Sequence, residues 1–111
     1  MSQISLIIPT INEAENLPTL MARIADALKG RDWEALIVDD ASTDGTPAVC
    51  ANLSKDYPLR FLSREYPTNG LSGAVLHGIA EAKGDFLVVM DADLQHPPER
   101  IGALIEPLEK N

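Results

Sequence analysis

Four apolar runs recur along the chain, Ile4 to Ile8, Ala35 to Val38, Leu59 to Leu62 and Phe86 to Met90, and each gives way to polar or charged residues. Short runs without polar alternation fit strands buried on both faces, as in a parallel sheet. Parallel strands cannot be joined by tight turns, so the intervening segments must cross over, ordinarily as helices. Leu17, Leu20, Met21, Ile24, Ala25 and Leu28 do recur at helical intervals, with Asn16 placed to cap the helix and Gly30 to stop it. Thr46-Pro47 offers an N-cap and a first-position proline for a second helix running towards Leu53. Ser72 to Lys83 makes a third, with Gly84 as its stop, and Pro97-Pro98 opens a fourth that carries Ile101, Leu104, Ile105 and Leu108 on one side. The fold class is therefore α/β, a mainly parallel sheet of about four strands flanked by helices. No internal repeat or low-complexity linker divides the chain, and 111 residues suit one domain with one core.

In such a sheet a ligand sits beyond the carboxyl ends of the strands, where the strand order reverses. Those ends supply Asn12-Glu13, Asp39-Asp40, Arg64-Glu65 and Asp91-Ala92-Asp93. Five carboxylates from three ends are expected to converge, and like charges so placed raise one another's pKa unless a cation neutralises them. A divalent metal is the expected solution. Asp91 and Asp93 are two residues apart, so in an extended segment both leave on one side, with Gln95 continuing the alternation. An isolated Asp-x-Asp ordinarily marks a solvated turn or a helix cap. Here it follows a strongly apolar strand, and a second acidic pair ends another strand.

The net charge of -8 disfavours nucleic acid or anionic lipid as a direct electrostatic partner. An anionic ligand needs a bridging cation, and Mg²⁺ or Mn²⁺ held by few protein oxygens leaves positions open for phosphate. The lone Cys50 cannot form an internal disulfide, which suits a reducing compartment, so cytoplasm is the expected location. Ile4 to Ile8 lacks a basic leader and stops at Pro9, so it is expected to be neither a signal peptide nor a membrane span.

Four segments together resemble glycosyltransferase family two, and within it the dolichyl-phosphate-mannose synthase-like branch. They are Ile8-Pro9-Thr10-Ile11-Asn12-Glu13, Val38-Asp39-Asp40-Ala41-Ser42-Thr43-Asp44-Gly45-Thr46, Gly73-Ala74-Val75-Leu76-His77-Gly78 and Met90 to Glu99. The resemblance covers essentially the whole chain. It implies the Rossmann-like, nucleotide-binding half of a GT-A fold, spanning residues 1–111 as one domain truncated before the acceptor-binding half. It implies that Pro9, Asn12 and Glu13 line the nucleotide, that Asp39 or Asp40 contacts its base or ribose, and that Asp91, Asp93 and Gln95 surround the metal. Asp91 and Asp93 would thereby also carry the chemistry, as the ion stabilises charge growing on the leaving diphosphate. The donor is then a GDP- or UDP-sugar, transfer proceeds with inversion, and the acceptor is a polyprenyl phosphate, itself anionic and in little need of a general base. The implied location is cytoplasmic and peripheral to the inner face of the membrane. Because family members continue well past position 111, this chain alone is not expected to be active.

Plainer roles stand beside these. Asn12 and Glu13 suit a helix N-terminus as well as a ligand, Asp44-Gly45 suits a turn, and Asp39 or Asp40 could cap a loop. His77, inside the third helix, is expected to be an ordinary helix histidine, and His96 fits a solvated turn or hydrogen bonding behind the metal. Gly70 and Gly73 permit close backbone approach to the donor, but Thr68 to Ser72 carries no basic residue, which leaves Arg64 and the metal to neutralise the diphosphate.

A phosphoacceptor receiver domain shares a Val-Asp-Asp strand end and a later strand-end Asp, here Asp91. The pair Asp39-Asp40 ends the second strand rather than the first, however, and little chain follows Asp91. A dinucleotide-binding dehydrogenase fits worse, since no Gly-x-Gly-x-x-Gly follows the first strand. A nucleotide-binding module without catalysis is the nearer alternative. The fourth strand, Phe86 to Met90, is apolar with no proline or charge inside it, so its outer edge is expected to pair with a second copy as a homodimer.

Overall fold

A computed structural model describes residues 3–64 and 70–92, apart from the side chain of Leu71. The helix expected from Pro97-Pro98 lies outside the described residues. Within them the order is β1 (Ile4–Thr10), α1 (Leu17–Ala27), β2 (Trp33–Asp39), α2 (Thr46–Leu53), β3 (Leu59–Ser63), α3 (Gly70–Glu81) and β4 (Phe86–Val89). All pairings are parallel and the strand order is β3-β2-β1-β4. The chain steps outward from β1 to β3 and then returns to the other side of β1, so the order reverses there. That order also differs from the 2-1-3-4-5 arrangement of receiver domains.

Each strand of the centre is buried on both faces. Ile4, Leu6 and Ile8 of β1 and Ala35 and Ile37 of β2 pack with Leu17, Leu20, Met21 and Ile24 of α1 and with Cys50 and Leu53 of α2. On the opposite face Ile7, Leu36 and Val38 meet Ala74 of α3. There α3 approaches closely: a Cβ built on Gly78 would lie 2.7 Å from Ile7 Cγ2, so glycine is what lets the helix settle on the sheet.

β1 runs two residues past the apolar segment and carries Pro9 inside it, paired in register with Val38. A proline in a central strand ordinarily breaks the ladder. Here Ile7 O accepts Met90 N–H at 3.0 Å, so Pro9, of the same parity, turns its missing N–H towards β4. The β4 register ends at Ile7↔Val89, and no ladder bond is lost.

The expected caps differ in detail. Asn16 precedes α1, but its backbone is already helical and its side chain makes no capping bond. Its Nδ2 instead donates to Glu13 Oε2 at 2.9 Å, while Glu13 O takes the N–H groups of Asn16 and Leu17 at 3.0 and 3.1 Å. At α2 the cap position is Gly45 rather than Thr46, and Asp44 Oδ1 accepts both the Thr46 N–H and its hydroxyl. α3 spans Gly70–Glu81, two residues earlier at each end than the spacing predicts, so Gly84 does not stop it. Gly84 serves the sheet: a Cβ there would meet Ser5 N at 2.7 Å and Gln3 O at 2.8 Å. Gly30, by contrast, takes the left-handed conformation expected after a helix, with φ 84°.

The amino end of the sheet is held by a buried polar cluster. Ser5 Oγ donates to Glu34 Oε2 at 2.6 Å, Lys83 N–H donates to the same oxygen at 2.7 Å, and Gly84 N–H donates to Ser5 Oγ at 2.8 Å. Arg60 Nη1 lies 3.7 Å from Glu34 Oε1. Burial acts to raise the Glu34 carboxyl, but these hydrogen bonds and the charges of Arg60 and Lys83 outweigh it and hold it below its ordinary value. The α3–β4 turn is thereby pinned to β1 and β2.

Candidate functional site

The carboxyl end of β2 carries the two adjacent carboxylates of Asp39 and Asp40. β2 ends in register with β1, so Asp39 stands opposite Thr10. Its side chain turns inward: Oδ1 accepts the Thr10 hydroxyl at 2.7 Å and the Ser42 hydroxyl at 2.5 Å, and Oδ2 accepts the Ser42 N–H at 3.1 Å. At 1% exposure, Asp39 is a buried carboxylate satisfied by Thr10 of β1 and Ser42 of its own loop.

Asp40 turns the other way. With Pro9, Thr10, Ile11 and Gly70 it lines a cleft of about 160 Å³ at the strand ends. Its Oδ1 is buried without a hydrogen-bond partner, although Arg64 Nη1 lies 3.3 Å away, and both side chains are 9% exposed. The contact is thus one of charge, without an aligned N–H. Arg64 is fixed from the end of β3, where its N–H donates to Asp39 O at 2.7 Å, and its Nη1 also reaches Gly70 O at 3.3 Å. A larger groove on the outer side of α1, lined by Pro18, Thr19, Ala22, Arg23 and Asp26, lies away from the strand ends and has the make-up of a solvated helix face.

Asn12 does not cap the helix that follows it. Its backbone is left-handed, with φ 53°, and its side chain crosses to the loop after β2, where Oδ1 accepts the N–H groups of Thr43 at 2.8 Å and Asp44 at 3.1 Å. Asn12 N–H donates to Ser42 Oγ at 2.8 Å, and Ala14 N–H donates to Asp44 Oδ2 at 3.2 Å. The thirty-residue separation hid this clasp from sequence reasoning; its signal was the density of small polar residues between Asp40 and Thr46, where only a turn was expected.

Among the described residues no three His, Cys, Asp or Glu side chains are grouped to hold an ion, and Asp93, one of the five carboxylates expected to converge, lies outside them. Within the described residues like charge is relieved locally. Asp39 takes hydroxyl donors, Glu13 takes Asn16, and Asp40 faces Arg64. Asp91 is exposed just beyond β4, between the buried Met90 and Ala92. Asp93, Gln95 and His96 lie outside the described residues. His77 is exposed on α3.

The sequence profile described as glycosyl transferase family 2 matches residues 5–111. The chain belongs to glycosyl transferase family 2. Among relatives in that family, it is 50% identical over 107 residues to a dolichol-phosphate mannosyltransferase of Pyrococcus furiosus, covering 96% of this chain and 30% of the relative. It is 35% identical to the undecaprenyl-phosphate 4-deoxy-4-formamido-L-arabinose transferase of Salmonella typhimurium, over 93% of this chain and 32% of that protein. The chain thus spans about a third of the length of these relatives. Among solved structures, a mannosyltransferase from Pyrobaculum calidifontis in complex with GDP-Man and Mn²⁺ superposes with a TM-score of 0.74 at 29% identity, over 89% of this chain and 30% of that one. The fold is accordingly that of the GT-A glycosyltransferases of the family, and neither a receiver domain nor a dehydrogenase.

Proposed function

We propose that this chain is the nucleotide-sugar-binding half of an inverting, metal-dependent glycosyltransferase that passes a sugar from a nucleotide diphosphate to a polyprenyl phosphate. The observation that carries this reading is Asp40, which lines a strand-end cleft and whose Oδ1 is buried without a hydrogen bond, 3.3 Å from Arg64 Nη1. The Arg64 charge offsets part of the cost of burying that oxygen, and a hydrogen-bond donor to the carboxylate would offset more. A base N–H or a ribose hydroxyl supplies one. Asp40 is therefore assigned the nucleotide and Asp39 the floor beneath it, with Pro9 forming the wall and Glu13 the approach. Arg64, already fixed beside Asp40, brings positive charge to the same end of the sheet.

The relative solved with Mn²⁺ supports a divalent ion. The donor chemistry fits: the carboxylates of Asp91 and Asp93 and the amide oxygen of Gln95 suit a hard cation, and Asp91 stands exposed at the carboxyl end of β4. Mg²⁺ or Mn²⁺ held there supplies Lewis-acid stabilisation of the departing diphosphate. The dolichol- and undecaprenyl-phosphate relatives support a polyprenyl phosphate acceptor, whose binding we assign to the length of those proteins that this chain does not span. An acceptor of that kind implies attachment at a membrane surface; no helix among the described residues is long and apolar enough to cross one. A second copy of the chain, paired along the outer edge of β4, completes the proposal.

Calorimetric titration of GDP and UDP tests the site. Binding of one of them is expected with Mn²⁺, and loss of binding in EDTA and in Asp93→Asn. Equal affinity with Mn²⁺ and with EDTA would remove the metal from this reading.

A further inference from the structure

We infer that Asn12 and Asp44 are positioning residues of the nucleotide cleft, which lock the loop after β1 to the loop after β2 and thereby aim Asp40 without touching the ligand. The inference rests on the nucleotide reading of that cleft. Asp40 begins a loop whose next residue, Ala41, is left-handed with φ 52°. An alanine resists that conformation because its Cβ crowds the carbonyl, so the loop keeps its path only if other contacts impose it. Asp39 supplies some from below, through Ser42.

The remainder come across the gap from the first loop. Asn12 is itself left-handed, a conformation that asparagine tolerates better than most residues. In that posture its single side-chain oxygen receives two successive N–H groups, those of Thr43 and Asp44, while its own N–H reaches Ser42 Oγ. Asp44 answers with one oxygen on Ala14 N–H and the other on Thr46 N–H, which ties the clasp to the start of α2. These bonds lie at the surface, where water competes and each adds little to global stability. Their directions are what count. They fix the loop on the carboxyl side of Ala41, while Asp40 N–H donating to Thr10 O at 3.0 Å fixes the amino side, so the Asp40 carboxylate is held over the cleft before any nucleotide arrives, and binding need not pay to order it.

The test is titration of GDP and UDP with Mn²⁺ into the full chain, wild type and three variants, at about 0.15 M and again at higher salt, so that any repulsion from the charge added in Asn12→Asp shows as a salt dependence. Asn12→Ala is expected to weaken binding about tenfold, and Asn12→Asp, which keeps the acceptor oxygen but loses the amide donors, to recover to within about threefold of wild type. Gly84→Ala, at the opposite end of the sheet, is expected to lower the melting temperature and leave the affinity of the folded protein unchanged. Wild-type affinity in Asn12→Ala overturns the inference. So does an Asn12→Asp as weak as Asn12→Ala, which would make the amide a direct contact. A wild-type chain that binds neither nucleotide overturns the cleft reading itself, a separate outcome seen before any variant is compared.

Discussion

Asp39 and Asp40 are consecutive, yet Asp39 is sealed beneath the loop by the hydroxyls of Thr10 and Ser42 while Asp40 lines the cleft. Their amide substitutions therefore separate. In Asp39→Asn an NH₂ replaces an oxygen that accepts buried donors, and stability is expected to fall by about 1–3 kcal/mol. Asp40→Asn is expected to cost the folded protein at least about tenfold in nucleotide affinity, the order of one hydrogen bond to a charged group. Urea unfolding together with titration of GDP and UDP distinguishes the two. Full affinity in Asp40→Asn would take that residue out of the site.

At the other end of the sheet, Glu34 gives the fold an acid-sensitive contact. Its folded pKa is depressed, because donors from Ser5 and Lys83 and the charges of Arg60 and Lys83 overcome the effect of burial. A depressed carboxyl contributes stability that is present above the unfolded pKa, about 4.3, and is lost as pH falls through the lower folded value. Glu34→Gln is expected to be less stable than wild type at pH 7 by about 1 kcal/mol, and the gap to close below about pH 4. Chemical denaturation at several pH values checks the sign; a gap that widens in acid would contradict it.

Strand and helix existence was legible because both periodicities are local. Ile4–Thr10 and Trp33–Asp39 announce themselves as apolar runs, and Leu17 to Leu28 as a helical stripe. What was not legible depends on partners distant in sequence. The depth of β1 past Pro9 follows from where β4 ends, and Gly84 matters for its contact with Ser5 rather than as a helix stop. The two aspartates look identical in the sequence; only the packing of Thr10 and Ser42 tells which faces inward. Clustered acids suggest a cation because charge repulsion is the only term visible in the sequence; among the described residues hydroxyls, an amide and Arg64 relieve part of it, and Asp93 and Gln95 of the expected metal set lie outside them.

The lone thiol is expected to be inert. Burial, with the negative charge of Asp39 adding to it, pushes Cys50 up to about 12, so almost none is thiolate at pH 8. Labelling by a disulfide reagent should proceed only as fast as the protein opens, and become immediate in denaturant. Rapid stoichiometric labelling of the native protein would show that Cys50 is not enclosed by α2 and the sheet.

A buried thiol also means that any dimer must be non-covalent, which returns the question to β4. Phe86 and Val88 pack towards the main core, while Leu87 and Val89 remain 46% and 49% exposed on the other face. Among the described residues the strand pairs with β1 alone, leaving its outer N–H and C=O groups on an apolar segment free of charge and proline. Such an edge favours pairing with another copy, and a two-fold contact closes it. Light scattering in the micromolar range is expected to give twice the 12.0 kDa of one chain. Leu87→Lys sets a charge at that edge, the device by which natural sheets discourage strand addition, and should shift the population to monomer while nucleotide binding persists. A monomeric mass for the wild type, or a dimer untouched by Leu87→Lys, would place the contact elsewhere or abolish it.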